Sequence, residues 1–236
     1  MSRKVMILFV CGMLIGLTAC GKTENAINES YATEGKETES GSIREETKQQ
    51  DNSDEKVLVA YFTYAENIGD TSNMSVDAIA FASIGTTANT EGNLQVIAET
   101  IQQTMDADVF HIVVKEPYDA DYATMRNRAL DEISNNILPE LKETVENLDQ
   151  YDTVYLGTPV WSGSLPQPVV SFLTENDLTG KTVIPFGIHL GSRFGKMLEQ
   201  IEELCPGSTL LDGFTVEAGT DNDEVRAEVI KWLKDE

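Results

Sequence analysis

Residues 57–62, Val57-Leu58-Val59-Ala60-Tyr61-Phe62, run apolar without a polar interruption. A strand with one face in water alternates in polarity. A strand buried on both faces does not, and such burial marks a parallel sheet covered by helices on each side. Four more β-rich runs follow, at 108–114, 153–157, 181–186 and 210–216, the last weakened by Asp212-Gly213. Helical spacing fills the gaps between them. Residues 93–105 place Leu94, Ile97, Ala98 and Ile101 on one face. Residues 122–148 carry Met125, Ala129 and Ile133, then Ile137, Leu141, Val145 and Leu148, and Pro139 is expected to divide them into two helices. Shorter patterns at 168–173, 194–204 and 221–234 complete the set. Strands alternating with helices, with no internal repeat, predict a doubly wound α/β domain over 56–236 with a five-stranded parallel sheet.

The chain ahead of this domain has a different composition. Residues 1–19 hold two bases, Arg3 and Lys4, no acid, and an apolar stretch from Val5 to Ala19. That stretch is shorter than the roughly 20 residues a spanning helix needs, and it reads as a secretory signal. It ends in Leu17-Thr18-Ala19-Cys20-Gly21, which resembles a bacterial lipobox. The resemblance implies cleavage before Cys20 and lipid on its sulfur, because a thiol must carry the diacylglyceryl group. Two acyl chains anchor stably where one is marginal. In residues 21–55 only Ala26, Ile27, Tyr31, Ala32 and Ile43 are apolar, so nothing there is predicted to bury. As a coil, this acidic tether would span about 30–35 Å. The expected location is the cell-envelope membrane, with the domain on the extracytoplasmic side.

Composition narrows the function. Forty acids stand against 17 bases, a net charge of −23, and loss of residues 1–19 would leave −25. Such a surface is not predicted to bind nucleic acid, which needs a basic face. Of three cysteines, Cys11 lies in the signal and Cys20 would carry lipid. Cys205 would remain alone, with neither a disulfide nor a dithiol redox pair open to it. It reads as a packed thiol. Two histidines and no acid-rich loop of suitable spacing give no metal site.

In doubly wound sheets, ligands sit at the carboxyl ends of the strands. The loop after the third run is Gly157-Thr158-Pro159-Val160-Trp161-Ser162-Gly163-Ser164-Leu165-Pro166. After the fourth comes Gly187-Ile188-His189-Leu190-Gly191-Ser192-Arg193-Phe194-Gly195. The first loop opens with Thr63-Tyr64-Ala65-Glu66-Asn67 and closes with Asn89-Thr90-Glu91-Gly92-Asn93. Hydroxyls, amides and glycine before a helix N-terminus suit a phosphate.

With these loops, residues 56–236 resemble the flavodoxin family. Gly-Thr-Pro-Val-Trp after the third strand is similar to its isoalloxazine loop. Pro-Phe, a glycine loop and Leu-Cys-Pro-Gly are similar to its fourth strand and the helix beyond. The resemblance implies strand order 2-1-3-4-5 and one non-covalent FMN. It places Thr63, Asn89, Thr90, Gly92 and Asn93 around the phosphate. It places Thr158, Pro159, Val160, Trp161 and Gly163 along the flavin ring, with Trp161 stacked on it. Gly163 would let a peptide reorient as the ring gains a proton. His189, Gly191 and Ser192 would border the other side. Two features depart from the family pattern. About 20 residues, 68–87, interrupt the phosphate loop, as a lid or partner surface or as a neutral insertion. The 189–194 loop lacks the usual tyrosine. His111 reads as a structural residue inside its strand, and Glu199, Glu202 and Glu203 as a solvated helix face.

The resemblance leaves three functions open. One is an FMN-binding electron-transfer lipoprotein that passes electrons to a redox partner protein or small-molecule acceptor. The second is an oxidoreductase, an NAD(P)H-dependent FMN reductase of quinones or similar acceptors. No Gly-x-Gly-x-x-Gly follows the first strand, although a nicotinamide docking on flavin needs none. The third is a flavin-free domain that binds another ligand or protein.

Overall fold

The unbroken apolar run forms β1 (Val57–Tyr61), inside a parallel sheet. The computed structural model describes residues 55–69 and 92–235. These lie in one compact unit, Gln50–Glu236, while the unit Met1–Gln49 falls outside them. The expected anchor Cys20, the phosphate-loop residues Asn89 and Thr90, and most of the 68–87 insertion are therefore outside the described residues.

The other strands are β2 (Asp108–His111), β3 (Thr153–Pro159), β4 (Thr182–His189), β5 (Thr209–Leu210) and β6 (Phe214–Glu217). All pairings are parallel, in the order β2-β1-β3-β4-β5, with β6 also paired to β4. Alternation within β1 explains its composition. Leu58 and Ala60, with Phe62 beyond, enter one core; Val57, Val59 and Tyr61 enter the other. The first core is closed by α2 (Tyr122–Asn135), α3 (Gln167–Glu175) and α4 (Met197–Leu204) through Met125, Phe172 and Ile201. The second is closed by α1 (Asn93–Met105) and α5 (Asn222–Asp235) through Ile97, Val225 and Val229. The sheet is doubly wound and flavodoxin-like, as expected.

Three elements differ from the sequence reading. The expected fifth strand comes as two short ones. At the break, a Cβ on Gly213 would lie 1.9 Å from the Pro185 carbonyl oxygen, so the backbones approach too closely for regular pairing. The expected second helix at 139–148 is absent. Asn136 ends α2 in the left-handed conformation, φ 51°. Pro139 then drives its predecessor extended, and the chain pairs with the continuation of β2. Lys142 N–H donates to the Val113 carbonyl at 2.7 Å, and Lys115 N–H to that of Glu140 at 2.8 Å. Finally, β2 stops at His111 rather than residue 114, although Ile112 and Val114 stay buried. The remaining helices match within three residues, the usual scatter of element ends.

Candidate functional site

Because the strands are parallel, the loops after β1, β3, β4 and β6 emerge at one edge of the sheet. Asn67 fixes the first. Its side-chain amide donates to the carbonyls of Thr63 (2.8 Å) and Ile112 (3.0 Å) and accepts from Val114 N–H (2.8 Å). It is buried, and it holds the loop after β1 against the end of β2. The Thr63 hydroxyl donates to Glu66 Oε2 at 2.8 Å and accepts Glu66 N–H at 3.3 Å, closing the short 3-10 turn Ala65–Asn67.

Asn93, in the first turn of α1 beside the N-cap Gly92, is also committed to the protein. Its amide donates to the Thr220 carbonyl (2.7 Å) and Asn222 Oδ1 (2.9 Å) and accepts Gly219 N–H (2.7 Å). These bonds tie the start of α1 to the loop after β6. What Gly92 and Asn93 offer a ligand is main chain at a helix N-terminus. Thr158 and Pro159 lie inside β3 and are buried, and the Thr158 hydroxyl donates to the Pro159 carbonyl at 3.0 Å.

Trp161 corrects the sequence reading. It is 2% exposed, so its ring is no open wall for a ligand to stack on. It packs edge-to-face on Phe62, Tyr64 and Tyr118, with centroids 5.3, 6.3 and 5.4 Å away. The cause is a tight turn. Trp161 and Ser164 exchange both backbone hydrogen bonds, at 3.0 and 2.9 Å, and Ser162 and Gly163 have φ of 51° and 80°. Positive φ at both central residues is the type I′ signature. The turn sends the indole inward and leaves Ser162 and Gly163 at the surface.

That turn is joined to the next loop. The Gly163 carbonyl accepts Lys196 N–H at 2.8 Å, a bond that reorientation of the following peptide would break. A Cβ on Gly195 would stand 2.5 Å from the same oxygen, so only glycine permits the approach. At the end of β4, His189 Nδ1 accepts Gly191 N–H at 3.0 Å. In the neutral ring the proton is then on Nε2. Ser192 is exposed, its hydroxyl bonded to the Arg193 carbonyl at 3.3 Å. Leu190 beside it is 68% exposed. Val160 is half-buried against the first core.

His111, expected as a structural residue inside its strand, lies instead at the strand's end. As the last residue of β2 it is exposed, and its Nδ1 lies 2.6 Å from Glu66 Oε1. The hydrogen bond to Glu66 holds His111 above its ordinary value of 6.5, against the opposing effect of burial. For Glu66, burial acts upward, but bonds from His111 and Thr63 outweigh it and hold the carboxyl below 4.5. Sequence reasoning gave no role to Asn67, Glu66 or Lys196. The only signal was the Thr-x-x-Glu-Asn order after a strand.

The arrangement suits a flat polar ring at the β3 and β4 side. Ser162, Gly163, Gly191 and Ser192 bring main-chain groups and no side-chain charge there. A Cβ on Gly163 or Gly191 would meet open space. The start of α1 offers amides to an anion beside the loop after β1. The residues present therefore fit a flavin nucleotide, held mainly by main chain.

This fold defines an open, doubly wound α/β protein whose loops gather at the carboxyl edge of its parallel sheet, where such folds receive ligands. The flavodoxin family model matches residues 81–235, well over half of the chain, and the chain belongs to that family. Among solved structures, a Bacteroides uniformis protein assigned as a flavoprotein is 26% identical, with TM-score 0.55, covering 76% of this chain and 98% of its own. One from Bacteroides eggerthii, likewise assigned, is 27% identical with TM-score 0.54, covering 76% and 96%. A Lactobacillus acidophilus flavoprotein in complex with FMN is 22% identical with TM-score 0.50, covering 76% and 99%, and shares the fold. No curated protein matches the sequence.

Proposed function

We propose that this flavodoxin binds one non-covalent FMN at the carboxyl edge of its sheet and transfers electrons as a lipid-anchored envelope protein. The observation that carries the reading is the joined pair of loops after β3 and β4. Gly163 and Gly191 face open space there, and Ser162 and Ser192 beside them bring main-chain groups and no side-chain charge. The bound cofactor would supply one- and two-electron chemistry. The protein's own share is to hold and bias it. Ser162, Gly163, Gly191 and Ser192 line the ring side, and Gly92 and Asn93 present amides on the phosphate side. The acidic chain disfavours further negative charge on the cofactor, which lowers its potential, and steers toward basic partners. The lipobox-like Leu17–Cys20 segment and the polar stretch after it support the anchored location.

The test is the absorption spectrum of the full chain, purified in detergent without added flavin, with identification of any cofactor released on denaturation. FMN near one per chain supports the reading. A colourless protein that takes up no added FMN overturns it and leaves a flavin-free binding domain.

One observation favours a second reading, a reductase of quinone-like acceptors. Gly191 N–H orients His189 so that Nε2–H is free to donate to an acceptor carbonyl. Turnover of NAD(P)H with a quinone, reduced in His189→Gln, supports it; no turnover leaves electron transfer alone.

A further inference from the structure

The pair Glu66–His111 has no part in the site as described so far. Both side chains are well exposed, 37% and 46%, and an ion pair so open to water adds little stability. Its position is more informative. Glu66 lies on the loop that leaves β1, bonded to Thr63, and doubly wound sheets receive the anionic part of their ligands at such a loop, beside the N-terminus of the next helix. A lone carboxylate there would repel a phosphate. Among the described residues, His111 is the one basic side chain tied to residues 63–68 by a hydrogen bond or ion pair.

We propose that His111 is the counter-charge of the flavin phosphate site: its protonated ring cancels Glu66, so that the loop after β1 selects a phosphate-bearing flavin in a pH-dependent way. The proposal rests on the FMN reading above. With His111 protonated, the pair is neutral and a dianionic phosphate meets no net repulsion. Once the proton leaves, Glu66 stands as a bare anion near the phosphate. Phosphate binding must in turn favour the protonated ring, because the two equilibria are linked. Tyr61 of β1 lies against the His111 ring, centroids 4.9 Å apart. Burial, with Glu66 and Glu99 of α1, pushes its phenol far above the ordinary range, so it stays neutral. Glu66, its carboxyl held below 4.5 by the bonds from His111 and Thr63, remains anionic. The geometry also predicts selectivity, since riboflavin carries the same ring without the phosphate.

The experiment titrates flavin-stripped full chain with FMN and with riboflavin from about pH 5.5 to 9, in wild type, His111→Gln and Glu66→Gln. His111→Gln controls for ionisation of the phosphate itself, whose second pKa is about 6. As pH rises, the wild type is expected to lose about tenfold in FMN affinity relative to His111→Gln, while riboflavin binding stays level. Glu66→Gln is expected to hold FMN tightly throughout. Matching FMN profiles in wild type and His111→Gln, or a riboflavin profile that follows FMN, would overturn the proposal. Unchanged circular dichroism checks that the variants fold. A second arm follows the His111 ring protons by NMR with and without inorganic phosphate. An upward shift of the titration with phosphate supports the proposal, and no shift overturns it. If no flavin binds under any condition, the FMN reading fails, and this phosphate arm decides the role of His111 by itself.

Discussion

Trp161, Asn93 and Thr158 sit where a ligand is expected, yet each commits its side chain to the protein. Trp161 has the largest consequence. Trp161→Ala would empty a fully enclosed site among Phe62, Tyr64 and Tyr118, at a cost of about 3–5 kcal/mol. Urea unfolding should show this as a lower midpoint with an unchanged slope. Any loss of flavin in that variant would then follow from the fold. His111 and Glu66 make a second prediction at this scale. A raised His111 pKa contributes stability that is complete below 6.5 and lost as pH rises through the folded value. A lowered Glu66 pKa contributes stability present above 4.5 and lost as pH falls through its folded value. The stability gap between wild type and His111→Gln should therefore peak between pH 4.5 and 6.5, at less than about 1 kcal/mol because water screens the pair. Thermal melts across pH would show it, and a gap that is flat or largest at pH 9 would contradict the pairing. The candidate site was legible in the sequence as loops but not as side-chain directions. Ser-Gly at 162–163 carries no strong sign of a type I′ turn, as Asn-Gly would. Without the turn, the inward aim of Trp161 cannot be read. Likewise, nothing in the run 108–114 marks residue 111 as the exit from the strand.

At the scale of elements, the loops after β3 and β4 behave as one piece, because Gly163 and Gly195 touch through their backbones. Gly195→Ala would drive a methyl into the Gly163 carbonyl at a position with φ 56°. The cost is expected at about 1–3 kcal/mol. Hydrogen exchange offers a sharper readout: the Lys196 amide should exchange faster in the variant, while β1 amides keep their protection. The parallel sheet was readable because β1 feeds two cores and so lacks alternation. The stretch 139–148 was misread because Ile137, Leu141, Val145 and Leu148 keep the four- and three-residue spacings of a helix face in the sequence. That spacing serves an extended segment here. Leu141 is buried, whereas Ile137 is 46% exposed, and hydrogen bonds to the edge of β2 replace those a helix would make. Pro139 was rightly read as a break, but periodicity could not register that the end of β2 offered hydrogen-bond partners to the segment after it.

Over the whole molecule, charge is the dominant long-range term. With 40 acids and 17 bases, self-repulsion opposes compaction, and salt should relieve it. The melting temperature is expected to rise by a few degrees between about 0.02 and 0.5 M sodium chloride. No change or a fall would show that specific ion pairs outweigh the net field. The sheet carries a further consequence at its margins. On one side lies β2, four residues long, its continuation occupied by the 139–142 segment. On the other, β5 and β6 are parted where Gly213 crowds Pro185. Neither margin presents a long, straight row of free amides and carbonyls, the template on which a neighbouring copy could add a strand. If many copies are held side by side on one membrane, at a local concentration far above that in solution, this protects them from stacking edge to edge into aggregates.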